Sequence, residues 1–190
     1  MKSFIVGTIS ALFITIGAFA QGTISFKNLN SSPAINAPVF LSDGTTKLSG
    51  SRYLAGLMAG TTANNLTQVA GVATPFLTGG AAGYFSGGVV TLPGIPGGIP
   101  AFVQVIFWDT AAGATFPAAQ ASAQDNAWGQ SPAFMITPGD PNATPPQTPA
   151  FLVGLVSSTM VLSIPEPSVW SLLSCGVLAM LLFRCRNVRA

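Results

Sequence analysis

Acid–base and nucleophilic chemistry need carboxylates, imidazoles, thiolates or an activated amine, and this chain is poor in all of them. Between residues 21 and 164 its acids are Asp43, Asp109, Asp125 and Asp140, and its bases are Lys27, Lys47 and Arg52. Histidine is absent, Glu166 is the one glutamate, and both cysteines, Cys175 and Cys185, lie near the C-terminus. A serine could be activated by Lys27 or Lys47, but no S-x-x-K accompanies either lysine. Asp109 in "WDTAAG" has a superficial likeness to the D-T-G of an aspartic protease, yet Gly113 is too far along and no second copy exists. A strand-end cap is the better account of Asp109. Asp43 and Asp140 stand beside Gly44 and Pro141 in turn contexts, and Asp125 in "QDNAWG" closes a turn or a helix. No catalytic residue is assigned, and no cofactor is expected.

Two binding chemistries stay open. Calcium takes several oxygen ligands, and Asp109, Asp125 and Asn126 could converge if their loops met. Their spacing matches no calcium loop, so no metal site is assigned. Glycans stack on exposed aromatic faces. Tyr53, Tyr84, Trp108 and Trp128 are the candidates, and Trp128, in the loop-like "NAWGQ", is the best placed. A body with so few and such balanced charges offers no basic stripe for phosphates, so no nucleic-acid partner is expected. Three N-x-S/T matches, at Asn30, Asn65 and Asn142, are weak signals in a sequence rich in Asn and Thr.

The elements that must position these residues read as strands. From Gln21 to Ile164, Gly and Pro punctuate short alternating or apolar runs. "TISFKN" puts Ile24 and Phe26 on one face and Thr23, Ser25 and Lys27 on the other. "STMVLSI" alternates likewise, with Met160, Leu162 and Ile164 together. "AFVQVIFWD" is apolar on both faces, as expected of a central strand covered twice. Further strands are expected at Ala37–Leu41, Tyr53–Ala59, Thr67–Ala73, Tyr84–Leu92 and Ala133–Thr137. Asp43-Gly44 suits a hairpin turn. "LPGIPGGIP" reads as a stiff link, "TPGDPNATPPQTPA" as an extended surface loop, and "FPAAQASAQDNA" as one short helix with Pro117 in its first turn. The expected class is all-β, a single sandwich of Ig-like or jelly-roll style over residues 21–164. A body of this size can bury enough surface to fold without disulfides.

The two ends are different in kind. Lys2, an apolar run to Phe19 and the Ala18-Phe19-Ala20 site form a secretory signal peptide over residues 1–20, with signal peptidase expected to leave Gln21 as the first mature residue. At the other end, Pro165-Glu166-Pro167 cannot continue a helix. Sixteen uncharged residues, Ser168 to Phe183, follow as a short transmembrane helix. Arg184, Arg186 and Arg189 then hold the tail on the cytoplasmic side.

This order of Pro-Glu-Pro, short apolar helix and arginine cluster over residues 165–190 resembles the PEP-CTERM sorting signal of Gram-negative bacteria. Phrases of the body, "SGSRYLAGLMAG", "FLTGGAAGYFSGGVVTLPG" and "VQVIFWDTAAGATF", resemble small PEP-CTERM proteins of Verrucomicrobia-like bacteria. The resemblance implies an exosortase, a membrane transpeptidase, acting near Glu166, and a transient inner-membrane anchor followed by a place at the cell surface or outside it. It also implies a partnership with exopolysaccharide in a biofilm. The expected function is that of a non-enzymatic surface or matrix protein, with a carbohydrate-binding module built on Trp128 as the alternative.

Overall fold

The computed structural model describes residues 21–162. Ala18, Ala20, Pro165, Glu166, Pro167, Arg184, Arg186 and Arg189, with the signal and transmembrane segments expected around them, lie outside the described residues. Within 21–162 the chain is strand and turn with little helix, as its alternating patterns require.

β1 (Gln21–Lys27) carries the expected alternation: Ile24 and Phe26 are fully buried, while Thr23, Ser25 and Lys27 are half-buried. A hairpin of β2 (Leu29–Ser31) and β3 (Ala34–Asn36) leads into β4 (Val39–Phe40), which is shorter than expected. The Asp43-Gly44 turn then reverses the chain with Gly44 at φ +69°, and Phe40 bridges Lys47 across it. β5 (Gly50–Thr62) exceeds its expected length at both ends. The single strand expected at Thr67–Ala73 is instead two: β6 (Asn65–Gln68) and β7 (Thr74–Phe76) both pair with β5, separated by a turn at Ala70-Gly71 where Gly71 takes φ +76°.

β8 (Ser86–Pro96) runs on into the stretch read as a stiff link, and Gln21 pairs with Pro96. This is possible because β8 is an edge strand, where proline need not withhold a ladder bond. β9 (Ala101–Asp109) is followed by α1 (Phe116–Gln120), a helix of 5 residues started by Thr115, whose side chain accepts from the Ala118 N–H. The helix is shorter than "FPAAQASAQDNA" suggested. Only Phe116 and Ala119 of α1 are buried, so nothing apolar continues the face. β10 (Trp128–Gln130), β11 (Phe134–Ile136), β12 (Ala150–Phe151) and β13 (Ser158–Thr159) complete the set.

Two sheets carry most of the structure. One has the order β12-β1-β8. In the other, β9 lies between β5 and the pair β10 and β11, while β6 and β7 share the far side of β5. Ile24, Phe26, Val90 and Leu92 of the first sheet and Ala55, Leu57, Val103, Val105 and Phe107 of the second belong to one buried cluster. On the opposite face of β9, Ile106 and Trp108 pack with Phe116 and Ala119 of α1. The double coverage expected of "AFVQVIFWD" is therefore met, by a sheet on one side and a helical turn on the other.

Two further expectations need correction. The closing strand stops at Thr159: Met160 is buried as expected, but Leu162 is 55% exposed. Beyond it the chain is held by the Met160 N–H to Phe40, by an isolated bridge of Met160 with Gly129, and by Val161, whose N–H donates to Trp128 and whose carbonyl accepts from Asn126. The proline-rich loop lies at the surface as expected, with Pro141, Asn142 and Thr144 to Thr148 exposed, but it closes on itself. Gln147 donates its backbone N–H to the Asp140 carbonyl at 2.9 Å and accepts from the Asp140 N–H at 3.1 Å. Gly139 exchanges two backbone bonds with Thr23, fixing the root of the loop on β1.

Candidate functional site

The residues with chemical potential gather around the C-terminal end of β9. Asp109, its last residue, lies opposite Tyr53 in the β5 ladder, which brings the neighbouring Arg52 within reach. The Arg52 guanidinium grips the carboxylate as a fork, Nε at 3.0 and 2.9 Å from the two oxygens and one terminal nitrogen at 2.6 Å. Asp109 Oδ1 also accepts the Ala111 N–H at 2.8 Å, and its carbonyl accepts from Ala112 and Gly113. The carboxylate thus caps the strand end, as expected, and has a cationic partner that the sequence did not reveal. Its hydrogen bond raises the pKa of Arg52 above the ordinary guanidinium value, with smaller electrostatic help from Tyr53. Arg52 itself remains largely in water and lies over the Tyr53 ring.

Asn126 takes φ +57°, its Oδ1 accepts from the Ser42 N–H at 2.7 Å, and its own N–H donates to Val161. The oxygens considered for calcium are therefore drawn in separate directions, Asp109 to Arg52 and Ala111, Asn126 to Ser42. Among the described residues no group of three or more Asp, Glu, His or Cys side chains gathers as a metal centre would need.

Trp128 is placed differently from expectation. It is the first residue of β10, half-buried and opposite Trp108 in the ladder. Phe116 stands edge-on between the two indoles, 6.2 Å from Trp108 and 6.0 Å from Trp128. "NAWGQ" looks like a loop because Gly129 breaks its apolar pattern. In the ladder that glycine is required, since a Cβ there would run into the Phe107 ring and the Thr159 carbonyl. The indole N–H of Trp108 is buried with no hydrogen-bond partner among the described residues.

The remaining candidates are also engaged in the fold. Lys27 lies over the Phe151 ring, Lys47 over Tyr84, and the Tyr84 hydroxyl donates to Asn36. Asp43 accepts from the N–H groups of Thr45 and Thr46 and from the Thr46 hydroxyl. These bonds, the Thr46 hydroxyl foremost, hold its pKa down to about 2. Asp140 accepts from the Asn142 N–H within its loop.

One residue of consequence was missed. Asn28, just past β1, is fully buried, donates to the carbonyls of Ala37 and Gly83 at 2.7 and 2.9 Å, and accepts the Phe85 N–H at 2.7 Å. In "FKNLN" it resembles any strand-end asparagine, and the partners lie up to 57 positions away. An apolar depression of about 390 Å³ between β11 and β12 is lined by Met135, Ile136, Phe151 and Val153, among others, and has no titratable group in its walls. Compared with known proteins, the chain matches no family model, and neither a curated protein nor a solved structure matches it.

Proposed function

We propose that this chain is an exported, non-enzymatic surface or matrix protein whose body is one β-sandwich, sorted by its C-terminal PEP motif and associated with exopolysaccharide. The observation that carries the reading is the sequence grammar at the two ends: an export signal before Gln21, and Pro165-Glu166-Pro167 followed by an apolar run and three arginines. The fold is compatible with cuts at both places. Gln21 is already an exposed member of β1, so removal of residues 1–20 leaves the strand whole. Among the described residues the last ties to the body are made by Met160 and Val161, and a cut near Glu166 lies beyond them. A sandwich is supported by the shared cluster that the two sheets contribute to. The non-enzymatic role is supported by the engagement of Asp43, Asp109 and Asp140 in turns, a strand cap and a loop.

The intact mass of the protein recovered from its native host tests this. A mass that begins at Gln21 and ends between Pro165 and Pro167, alone or with an adduct, is expected. A mass retaining Arg184 to Ala190 would make it a plain anchored protein and sink the sorting role. The carbohydrate-binding alternative has the partial exposure of Trp128 in its favour. Because that ring packs on Phe116, we expect Trp128→Ala to lower the melting temperature and leave retention on polysaccharide unchanged. Loss of retention at an unchanged melting temperature would favour the alternative.

A further inference from the structure

We propose that the peptide bond between Asp140 and Pro141 is a self-cleavage site, opened by the Asp140 side chain itself. An aspartate carboxylate can close on its own carbonyl carbon through a small, unstrained ring, an attack that is intramolecular from the start. Proline is the favoured group to expel, because its nitrogen belongs to a tertiary amide and departs as a secondary amine. Among the aspartates of the described residues, Asp140 alone precedes proline.

The loop holds this bond ready. The Asp140 carbonyl accepts two backbone N–H groups, Gln147 at 2.9 Å and Ala143 at 3.4 Å. Charge that develops on that oxygen during attack therefore meets donors already in place. Asp140 Oδ1 accepts the Asn142 N–H at 2.9 Å, which closes a hydrogen-bonded ring around the scissile bond and keeps the carboxylate beside it. Oδ2 has no hydrogen-bond partner among the described residues and is the nucleophile. The main chain here is pinned as well: the Asp140 N–H donates to Gln147 Oε1, and Gly139 is bonded to Thr23. Gly97 packs so closely that a Cβ on it would run into Cα and Cβ of Asp140.

Asp109 is the internal control, because it builds the same turn. Its Oδ1 accepts the Ala111 N–H and its carbonyl accepts from Ala112 and Gly113. Arg52, however, grips both of its carboxylate oxygens, and the nitrogen to be expelled is that of Thr110, whose N–H is bonded to the Arg52 carbonyl. Asp43 also has both oxygens engaged. A free carboxylate oxygen and a proline leaving group coincide at Asp140.

In the reaction a lone pair of Oδ2 forms a bond to the Asp140 carbonyl carbon, and the π pair moves onto the oxygen held by Gln147. As that pair returns, the C–N bond breaks. Its electrons stay on the Pro141 nitrogen, which takes a proton from solvent. A cyclic anhydride is left on Asp140, and water opens it to two carboxyl groups. The cut body stays assembled, since β12 still pairs with β1 and β13 with β4. Strand pairing then replaces the covalent link between the chain before the loop and the chain after it. Such a cut turns over no substrate and is independent of the sorting role, because the two pieces still carry both ends of the chain.

The test keeps the chain, purified from its expressing cell, folded in mildly acid buffer and measures masses after denaturation at intervals. Paired fragments ending at Asp140 and beginning at Pro141 are expected, formed at least about tenfold faster than from the same chain held in denaturant at the same pH. Asp140→Asn keeps an oxygen for the Asn142 N–H but loses the carboxylate, so the loop should hold while cleavage slows on the order of tenfold or more. Gln147→Pro deletes the nearer carbonyl donor and should slow it on the order of tenfold. A folded chain that stays intact at Asp140 overturns the proposal, as does an equal rate in denaturant. Either variant cutting as fast as the wild type, or an equally fast cut after Asp109, overturns it too. If Gln147→Pro does not fold, the comparison of folded and denatured wild type decides.

Discussion

Asn28 and Asp109 are both buried polar residues at the ends of strands, and they solve the same problem by opposite means. Asn28 follows β1 where two other pieces of chain meet it, around Ala37 and around Gly83 to Phe85, and those pieces present two carbonyls and one N–H. A neutral amide has donors and an acceptor, so one side chain can satisfy all three. Asp109 ends β9 at a tight turn that presents an N–H. A carboxylate only accepts, and its charge must be balanced, so Arg52 is recruited from the adjacent strand and kept largely in water. The type of polar residue thus follows from what the backbone leaves unpaired at each strand end. Charge is found where a partner can remain solvated.

The largest effect is expected from exchanging one solution for the other. Asn28→Asp keeps the shape but removes both donors and sets a carboxylate against the Ala37 and Gly83 carbonyls. Each buried group left unsatisfied costs about 1–3 kcal/mol, so a loss of at least about 3 kcal/mol at neutral pH is expected in denaturant unfolding. Burial among carbonyls raises the folded-state pKa of the new acid. The variant should therefore recover stability as pH falls through that pKa, because the neutral carboxyl can again donate. A variant as stable as the wild type at neutral pH would show that Asn28 is not the junction described.

At the other site, Asp109→Ala forfeits the charged fork and the Ala111 cap, and about 2 kcal/mol is expected. Asp109→Asn should fall between the variant and the wild type, since the amide oxygen can still accept from Ala111. If Asn and Ala cost the same, the cap contributes nothing and the ion pair carries the whole effect. Thermal or denaturant unfolding of the two variants side by side separates these outcomes.

Trp108 offers a third case, a buried N–H with no partner among the described residues. Trp108→Phe trades lost packing against relief of an unsatisfied donor, and the two should nearly offset, leaving a net change within about 1 kcal/mol. A loss like that of Asp109→Ala would mean that the indole nitrogen has a partner, such as a water, in solution.

How much of this was legible in the sequence depends on the distance over which each feature is encoded. The strand character of β1 and the two-faced coverage of β9 are written in consecutive residues, and both were read correctly. The Asp109 cap was legible for the same reason, because Ala111 is two positions away. Asn28 and Arg52 act on residues dozens of positions off. Nothing in "FKNLN" or "SGSRYL" announces those partners. Elsewhere local signals were overruled by place in the sheet. β8 keeps strand form through Pro93 and Pro96 because it is an edge, and Trp128 joins a strand because Gly129 permits close approach to Phe107. Leu162 continues an apolar alternation in the text, yet it is exposed and lies past the end of the last described strand.

The smallest effect is expected at an acid that needs neither an amide's versatility nor a counter-ion. Asp43 is fully exposed, and its carboxylate is held by the hydroxyl of Thr46 and by two backbone N–H groups of its own turn. Its pKa falls from the usual 3.8 to about 2 in the folded chain. A depressed folded pKa means that the contribution of Asp43 is fully present above pH 3.8 and is lost as pH falls through about 2. An NMR titration should place the Asp43 midpoint near 2, with the Thr45 and Thr46 amide shifts moving together with it. A midpoint near 3.8 would show that the turn opens in solution. An exposed carboxylate would then need a second strand or a cation, as Asp109 does, to stay in place.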